Sequence, residues 1–296
     1  LPHGAMTGRM LERLEQVFQK EIPDSVLVYG DTNSTLAGAL AAVKLRVHCG
    51  HVEAGLRSSN REMPEEHNRV VTDHLADLLF APTTTAVANL KAEGLGDRAL
   101  LVGDVMFDVV RFSMQKISKR RASAGFGLTP NQFFLATIHR ASAKENKKTL
   151  ESLVSSLERV ACSHLPVVLP LHPGTRQALE RFGIHTDHVQ LIEPISYLDM
   201  LALLRDCRAV ITDSGGLQKE AYFAGKMCLT VREETEWVET VEVGANVICG
   251  ADGRNLEDVV EFLSRAEAEA TFYESFYGDG NAADTVVASI LDYLDS

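Results

Sequence analysis

Three short segments place acidic side chains where catalysis could use them. Asp31 and Glu53 each come at the end of a short apolar run, and Glu65 lies in the segment 64–69, which reads Pro-Glu-Glu-His-Asn-Arg. Carboxylates that are brought together raise one another's pKa, and this creates the proton donor and acceptor of acid–base catalysis. If the three segments meet in the fold, they predict an acid–base site.

Each acid also has a structural interpretation when it is considered alone. Asp31 precedes a predicted helix, and aspartate is a common cap at that position, so cap and catalyst are evenly matched. Proline followed by two acids is typical of a helix start without any function. Glu65 has i,i+4 spacing to Arg69, which predicts an ordinary ion pair.

A later segment, 212–221, has the residue types that bind phosphate. An apolar run leads into Ser214, Gly215 and Gly216. The bare glycine backbone lets a phosphate approach the free N–H groups at the start of the following helix. Glu220 lies about one helical turn further on, where ribose hydroxyls would be. A tight strand-to-helix turn without a ligand is the alternative interpretation.

Other cationic side chains follow further apolar runs. His139 and Arg140 end one run, His172 follows a second and Arg232 follows a third. A histidine beside an arginine at a strand end can donate hydrogen bonds to a diphosphate, although a structural histidine fits the pattern too. These residues offset the acidic charge of the protein locally.

Metal and covalent hydrolase chemistry fit the sequence less well. His51, Glu53, Glu65 and His67 could be drawn as metal ligands, but no HExxH or comparable spacing exists. The GxSxG motif of a serine hydrolase is also missing from the sequence.

Short apolar runs alternate with helix-length segments along the chain. Strands are predicted at 26–29, 46–52, 78–81, 99–102, 133–138, 166–171, 189–192, 209–212, 227–231 and 246–249, and helices at 7–20, 35–45, 65–77, 84–91 and 282–294. Apolar strands separated by helices are typical of parallel sheets covered on both faces, and ligands bind at the carboxyl ends of their strands. The sequence therefore predicts an α/β fold with two doubly wound, Rossmann-like domains.

The length of 296 residues also suggests two domains, at roughly 150 residues each. We predict a first domain over 1–105, to which a helix at 281–296 returns, and a second over 106–280. The charged stretch 116–121, which leads into a glycine-containing loop, is either a hinge or an ordinary surface connection. Because the first domain shows only about four strands and opens on a helix, we expect an N-terminal portion to be missing.

The composition excludes several classes of protein. Lys and Arg total 29 against 41 Asp and Glu, a net charge of −12, so neither nucleic acid nor membrane is expected as a partner. No run reaches the roughly 18 apolar residues of a membrane span and no signal-like segment opens the chain, so we expect a cytoplasmic protein. The five cysteines never show CxxC spacing and are expected to be buried, reduced thiols.

Several of these motifs resemble, in order, those of the non-hydrolysing UDP-N-acetylglucosamine 2-epimerases. The matching segments cover essentially the whole chain: 28–35, 51–57, 64–69, 137–140, 212–221 and 232–236. The resemblance implies two Rossmann-like domains of the GT-B type with the active site in a cleft between them, and a homodimer. It implies interconversion of UDP-GlcNAc and UDP-ManNAc for cell-surface polysaccharide synthesis, through elimination of UDP to a 2-acetamidoglucal and re-addition. Neither a nicotinamide nor a metal cofactor is expected.

The resemblance also implies roles for individual residues. Asp31, Glu53 and Glu65 would be the catalytic acids and bases, and His139 would lie at the leaving diphosphate. The residues implied in binding the UDP-sugar are Arg69, Arg140, His172, Ser214, Gly215, Gly216, Glu220 and Arg232.

The sequence departs from the family pattern in three places. The N-terminal strand with its Gly-Thr-Arg-Pro-Glu type of loop has no counterpart, Ser142 replaces an acid after the His-Arg pair, and the region before Thr7 lacks the usual effector-site residues. Four alternatives therefore stay open: an epimerase of a related UDP-2-acetamido sugar, a hydrolysing 2-epimerase that releases ManNAc, a GT-B glycosyltransferase, and an inactive nucleotide-binding remnant.

Overall fold

The computed structural model describes residues 2–58, 60–118, 122–140, 144–265 and 276–295. The chain divides into two compact units, Leu1–Asp108 with Ser275–Ser296 and Val109–Glu274. The domain boundaries inferred from the sequence stay a prediction. Residues 119–121 of the charged stretch, and Ser142, lie outside the described residues.

The first unit is an alternation of helices and short strands, followed by a C-terminal helix. Its elements are α1 (His3–Glu21), β1 (Ser25–Tyr29), α2 (Asn33–Lys44), β2 (His48–Val52), α3 (Pro64–Leu75), β3 (Leu78–Ala81), α4 (Thr84–Ala92), a 3₁₀ turn (Gly96–Arg98), β4 (Ala99–Leu101) and the start of α5 (Val105–Lys116). The C-terminal helix, which we number α13, spans Ala282–Leu294.

Strands β1 to β4 form a parallel four-stranded sheet in sequence order. Its core contains Leu79, which is fully buried, and the small residues of α2 lie against the sheet. A side chain at Gly38 would come within 3.0 Å of the Val28 Cγ1 atom, so α2 packs close to β1. Apolar strands and an alanine-rich helix therefore account for this unit's core.

The C-terminal helix α13 is anchored in the first unit at its N-terminus. The backbone N–H groups of Ala282 and Ala283 donate to the Asp108 carboxylate at 3.2 and 2.7 Å. A carboxylate at this end satisfies unpaired N–H groups and matches the helix dipole. Val286 of the helix is buried in a cluster with Phe80 and Val52.

The second unit has the same alternation with six strands. After the remainder of α5 its elements are α6 (Ala122–Gly125), β5 (Phe134–Thr137), α7 (Lys147–Ser163), β6 (Val167–Pro170), α8 (Pro173–Phe182), β7 (Gln190–Ile192), α9 (Tyr197–Asp206), β8 (Ala209–Thr212), α10 (Gly215–Phe223), β9 (Met227–Thr230), α11 (Val238–Glu242), β10 (Asn246–Ile248) and α12 (Leu256–Arg265).

These strands form a parallel sheet in the order β10-β9-β8-β5-β6-β7. The central strands are buried throughout, and their side chains join those of α7, such as Leu150 and Leu157, in one core. The sequence order of the strands reverses at β5 and β8. Such a reversal is where doubly wound sheets bind ligands.

The predicted fold class is confirmed, and every strand predicted from an apolar run is present. Helix α1 begins at His3, four residues before the predicted start. Four of the cysteines are buried thiols as expected, but Cys162 is exposed because it lies on the outer surface of α7. No helix within the described ranges is both long and apolar enough to cross a bilayer.

Gly55 offers a test of how tightly the first unit is packed. Its φ is +82°, and a side chain there would collide with the Ala86 carbonyl group and lie 2.9 Å from the Leu90 Cγ atom. We expect Gly55→Ala to lower the free energy of unfolding by about 3 kcal/mol, because strain and overpacking add. Urea denaturation measures this change.

Gly94→Ala is the matched control for that substitution. Gly94 has a similar φ of +77° but nothing within 4 Å of an added side chain. It should cost only about 1 kcal/mol of backbone strain. Equal losses for both variants would show that the packing around Gly55 contributes nothing.

Candidate active site

Parallel register brings two of the predicted catalytic acids to one sheet edge. Tyr29 at the end of β1 lies opposite Val52 at the end of β2, so the residues that follow each strand emerge side by side. A side chain at Gly30 would lie 3.3 Å from the Glu53 Oε2 atom. Glu53 itself has a φ of +71°, a conformation that is costly for a non-glycine residue and concentrates at functional sites.

Asp31 does not cap the following helix. Thr32 is the N-cap of α2, and its backbone N–H donates to the Thr35 Oγ1 atom at 3.2 Å. The Asp31 carboxylate instead accepts a hydrogen bond from the Arg69 guanidinium. Since a threonine supplies the cap, the capping interpretation of Asp31 is wrong.

The predicted ion pair between Glu65 and Arg69 is also wrong. Arg69 pairs at i,i+3 with Glu66, whose Oε2 atom is 2.7 Å from the arginine Nη1 atom. Glu66 and Arg69 are both buried, whereas Glu65 is half-buried. The Glu66 carboxylate also accepts the backbone N–H of Ser58 at 3.0 Å, so it acts as a structural anchor. Arg69 thus pairs with Glu66 rather than with Glu65, and the charge of Glu65 acts on Asp31.

The three acids interact electrostatically. Burial raises the pKa of Asp31 above its ordinary value, and the charges of Glu53 and Glu65 raise it further, while Arg69 opposes them. The balance leaves the pKa of Asp31 raised, the direction that favours the protonated form of the carboxyl group. The structure thus brings Asp31, Glu53, Glu65 and Arg69 together in the first unit.

A buried histidine, which the sequence suggests only as a metal ligand, holds the two strand ends in place. The His51 Nε2 atom lies within hydrogen-bond distance of the Gly30 carbonyl oxygen, at 2.8 Å, and its Nδ1 atom within that of the Asp73 carboxylate, at 2.6 Å. Asp73 also accepts the Gly55 N–H at 3.1 Å and the Arg57 guanidinium at 2.8 Å. His51 therefore connects the residue before Asp31 with the strand that carries Glu53.

Burial would raise the pKa of Asp73, but its hydrogen bonds and ion pairs outweigh that effect. His51 and Arg57 together hold the pKa of this carboxyl group below its ordinary value of 3.8. The only sequence signal for Asp73 is its i,i+4 spacing from Arg69 on α3, which does not suggest a link to His51.

In the second unit, register aligns the predicted diphosphate-binding residues. Thr137 of β5 lies opposite Thr212 of β8, and Thr212 lies opposite Thr230 of β9. The Asp213 carboxylate accepts the backbone N–H groups of His139 at 2.8 Å and of Arg140 at 2.9 Å. The loops after three neighbouring strands therefore start from one edge of the sheet.

His139 and His172 lie next to each other at this edge. Their ring centroids are 5.4 Å apart. Burial lowers the pKa of His139, with further contributions from His172 and Lys144, while Asp213 opposes them. The His172 Nδ1 atom accepts the Gly174 N–H at 3.1 Å at the start of α8. A neutral His139 can donate one hydrogen bond to an oxygen or accept one from it.

The predicted phosphate-binding turn opens helix α10. Ser214 is its N-cap, and Gly215 and Gly216 form the first turn. A side chain at Gly215 would lie 2.5 Å from the Glu236 Oε1 atom, so the Glu236 side chain would have to move to admit it. Arg232 lies 2.8 Å from the carboxylate of Glu236 and is almost fully buried. A helix start of this kind leaves N–H groups available to an anion.

Glu220 lies one turn into α10, as the sequence predicts. Burial raises the pKa of its carboxyl group, and a hydrogen bond from Tyr197 and the charge of Lys219 oppose that shift. Tyr197 opens α9, and its pKa is raised by burial and by Glu220. A carboxylate fixed by one donor keeps further lone pairs for hydroxyl groups.

The structure places His139, Arg140, His172, Ser214, Gly215, Gly216, Glu220 and Arg232 in the second unit, at the carboxyl edge of its sheet. Across the described ranges, no group of three or more His, Cys, Asp or Glu side chains is arranged to hold a metal ion. The roles assigned to these residues stay predictions.

Comparison with known proteins agrees with this arrangement. A sequence model of the family described as UDP-N-acetylglucosamine 2-epimerase matches residues 2–291. The chain is 49% identical over 298 aligned positions to the UDP-2,3-diacetamido-2,3-dideoxy-D-glucuronate 2-epimerase of Pseudomonas aeruginosa, covering 99% of this chain and 80% of that protein. It is 38% identical over 301 positions to the UDP-N-acetylglucosamine 2-epimerase of Methanocaldococcus jannaschii, covering 98% and 81%.

Two solved structures resemble the whole chain. The crystal structure of the Methanocaldococcus jannaschii UDP-GlcNAc 2-epimerase in complex with UDP-GlcNAc and UDP matches with a TM-score of 0.90, at 38% identity, over 99% of this chain and 82% of that one. The Neisseria meningitidis enzyme bound to UDP-GlcNAc matches with a TM-score of 0.90, at 30% identity, over 99% and 82%.

The chain forms two parallel sheets and matches solved structures of this kind over its whole length. It is therefore a protein of the GT-B class with two Rossmann-like units. The chain belongs to the UDP-N-acetylglucosamine 2-epimerase family and is therefore an epimerase, an enzyme of the isomerase class.

Replacing Asp73 tests the buried charge network of the first unit. Asp73→Asn leaves His51 without its anionic partner, so we expect a loss of about 3 kcal/mol in the free energy of unfolding at pH 7. The pKa of Asp73 is lower in the folded protein than its ordinary value of 3.8. The Asp73 carboxylate therefore contributes fully to the free energy of unfolding above pH 3.8, and this contribution is lost as the pH falls through the pKa of the folded state. The difference between wild type and variant should shrink below pH 3.8.

Urea denaturation at several pH values measures both effects. Asp97→Asn, an exposed acid of the same unit, is the control and should change stability by less than about 0.5 kcal/mol. A difference between wild type and Asp73→Asn that stays constant with pH would contradict the assignment.

Proposed function

We propose that the protein is a 2-epimerase that interconverts UDP-GlcNAc and UDP-ManNAc by eliminating and re-adding UDP. The observation that carries the proposal is that Asp31, Glu53 and Glu65 lie together in the first unit, since inversion at C2 needs a proton acceptor on one face and a donor on the other. The UDP and UDP-GlcNAc bound in the related structures support the substrate class.

In the first half-reaction the C1–O bond to UDP breaks and C2 loses its proton to a carboxylate. The C2 proton is not acidic, so cleavage of the C1–O bond must lead, and this needs a stabilised leaving group. The electron pair of the C2–H bond forms the C1–C2 double bond of 2-acetamidoglucal. UDP leaves with the electron pair of the C1–O bond.

The second half-reaction reverses these steps on the other face of C2. A protonated carboxyl group gives its proton to C2, and a diphosphate oxygen of UDP attacks C1. The raised pKa of Asp31 favours the protonated form from which a carboxyl group can donate, and inversion requires that the acceptor of the first step and the donor of the second lie on opposite faces of C2. We leave open which acid serves which face.

The second unit would stabilise the leaving diphosphate. The side chains of Arg140 and Arg232 can neutralise the charge that develops on the leaving oxygen, and the N–H groups of the Ser214–Gly216 turn and the His139 ring can donate hydrogen bonds to it. Glu220 would accept hydrogen bonds from the ribose hydroxyls. A homodimer, a cytoplasmic location and a role in polysaccharide synthesis complete the proposed function.

Conservative substitutions of the acids test the catalytic roles. Asp31→Asn, Glu53→Gln and Glu65→Gln should each lower kcat for epimerisation by about 10²-fold or more, because each removes a group that transfers or holds the proton. His139→Ala should have a similar effect through loss of diphosphate stabilisation. Calorimetric titration with UDP should show much smaller changes for the three acid variants.

Glu62→Gln is the control for the acids, since Glu62 is exposed in the loop before α3. Its kcat should equal that of the wild type. Four catalytic variants with nearly unchanged rates would exclude the proposed mechanism.

The choice of sugar is a separate test. Three carboxylates would repel an anionic group on the sugar ring, which favours UDP-GlcNAc because its sugar carries no charge. The second candidate is UDP-2,3-diacetamido-2,3-dideoxy-glucuronate, because a relative that is 49% identical bears that activity in its name. We expect kcat/KM to be at least tenfold higher for UDP-GlcNAc, measured by proton NMR of the anomeric signals.

The reverse ratio of kcat/KM would favour the diacetamido sugar. Free ManNAc among the products would indicate a hydrolysing enzyme instead. Transfer of the sugar to an acceptor, without exchange at C2, would indicate a glycosyltransferase.

A further inference from the structure

The loop after β9 contacts the start of helix α10 through two side-chain hydrogen bonds. The indole Nε1–H of Trp237 donates to the Gly215 carbonyl at 2.9 Å. The Thr235 hydroxyl donates to the Gln218 Oε1 atom at 2.6 Å. The proposed diphosphate-binding turn is thus held from outside by this loop.

A buried lysine holds the tryptophan in turn. The Lys219 Nζ atom lies 4.3 Å from the centroid of the Trp237 ring, and both side chains are buried. A lysine is almost never fully buried unless its charge is compensated, and the face of an indole ring compensates a cation best among the aromatic rings. The Trp237 ring is thus one of the groups that compensate the Lys219 charge, and the Glu220 carboxylate is another.

The contacts connect this lysine to both ends of the proposed UDP site. Through Trp237 it acts on the Gly215 carbonyl, whose peptide plane fixes the direction of the next N–H group in the turn. Its charge also lowers the pKa of the Glu220 carboxyl group, the proposed ribose ligand. Lys219 itself is almost fully buried.

We propose that Lys219 and Trp237 are positioning residues of the reaction, which fix the Ser214–Gly216 turn in the orientation that binds the diphosphate. This inference rests on the proposed function, because it assumes that UDP binds at this turn. Neither side chain needs to touch the substrate. The ammonium group orients the ring, and the ring N–H orients the peptide.

Trp237 is the only tryptophan in the sequence, so tryptophan fluorescence measures changes around this residue alone. Its fluorescence can be titrated with UDP and with uridine, and calorimetry gives the same affinities independently. We expect UDP to change the emission in a saturable way, whereas uridine, which lacks the diphosphate, should leave it unchanged.

Lys219→Met keeps the length and apolar stem of the side chain and removes its charge. It should raise the Kd of UDP by about 2- to 30-fold, the range of a cation–π contact, and change the Kd of uridine by much less. Trp237→Phe, followed by calorimetry, should have a similar effect, because it removes the indole N–H. Lys219→Met should then add little to Trp237→Phe, since both break the same connection.

Two variants serve as controls. Lys219→Arg keeps a cation over the ring and should keep the Kd of UDP within about threefold of the wild type. Lys226→Met removes a charge three residues beyond the end of α10, where the lysine donates to Asn131 at 3.1 Å, and should leave UDP binding unchanged. Thermal melts of every variant separate folding from binding.

The outcomes distinguish the two proposals. If the wild type binds UDP and Lys219→Met and Trp237→Phe bind it equally well, the positioning role is wrong and the proposed function stands. Equal losses of UDP and uridine affinity would also overturn it, because they indicate general damage to the unit. If the wild type binds no UDP at all, the proposed function and the inference fail together.

Discussion

Parallel strand register is the constraint on which the rest of the structure depends. Because Tyr29 ends level with Val52, Asp31 and Glu53 leave one edge of the first sheet as neighbours. Because Thr137 ends level with Thr212, the loops that carry His139 and Ser214 do the same in the second. A shift of one residue in either pairing would turn these side chains to the other face of the sheet. The apolar strands therefore form the core and also place the predicted site residues beside one another.

Buried polar groups then hold the site residues in the positions that strand register gives them. In the first unit His51 and Asp73 hold the turn before Asp31 in place, and Arg69 compensates the charge of the Asp31 carboxylate. In the second, Asp213 fixes the backbone of the loop after β5, and the loop after β9 fixes the start of α10. Each group is satisfied by charge or hydrogen bonds, as burial demands. Preorganisation of this kind lets a site stabilise a transition state without rearranging at the moment of reaction.

The sequence predicts the strands well because continuous apolar runs leave little ambiguity when both sheet faces are covered. It predicts the wrong partner for Arg69, since spacing alone cannot tell which of Glu65 and Glu66 faces inward. It gives no sign that Asp73 pairs with His51, because the two lie on different elements and no local pattern joins them. Trp237 and Lys219 were missed for the same reason: their contact depends on tertiary packing between a loop and a helix.

In the proposed reaction the three acids move a proton at C2 during elimination and re-addition of UDP. A proton NMR time course with UDP-GlcNAc in D₂O, following the sugar H2 signal and the anomeric region, tests this step. We expect UDP-ManNAc to appear with deuterium at C2 and the remaining UDP-GlcNAc to gain it as well. UDP-ManNAc that keeps its original hydrogen at C2 would contradict a mechanism in which carboxylates exchange that proton with solvent.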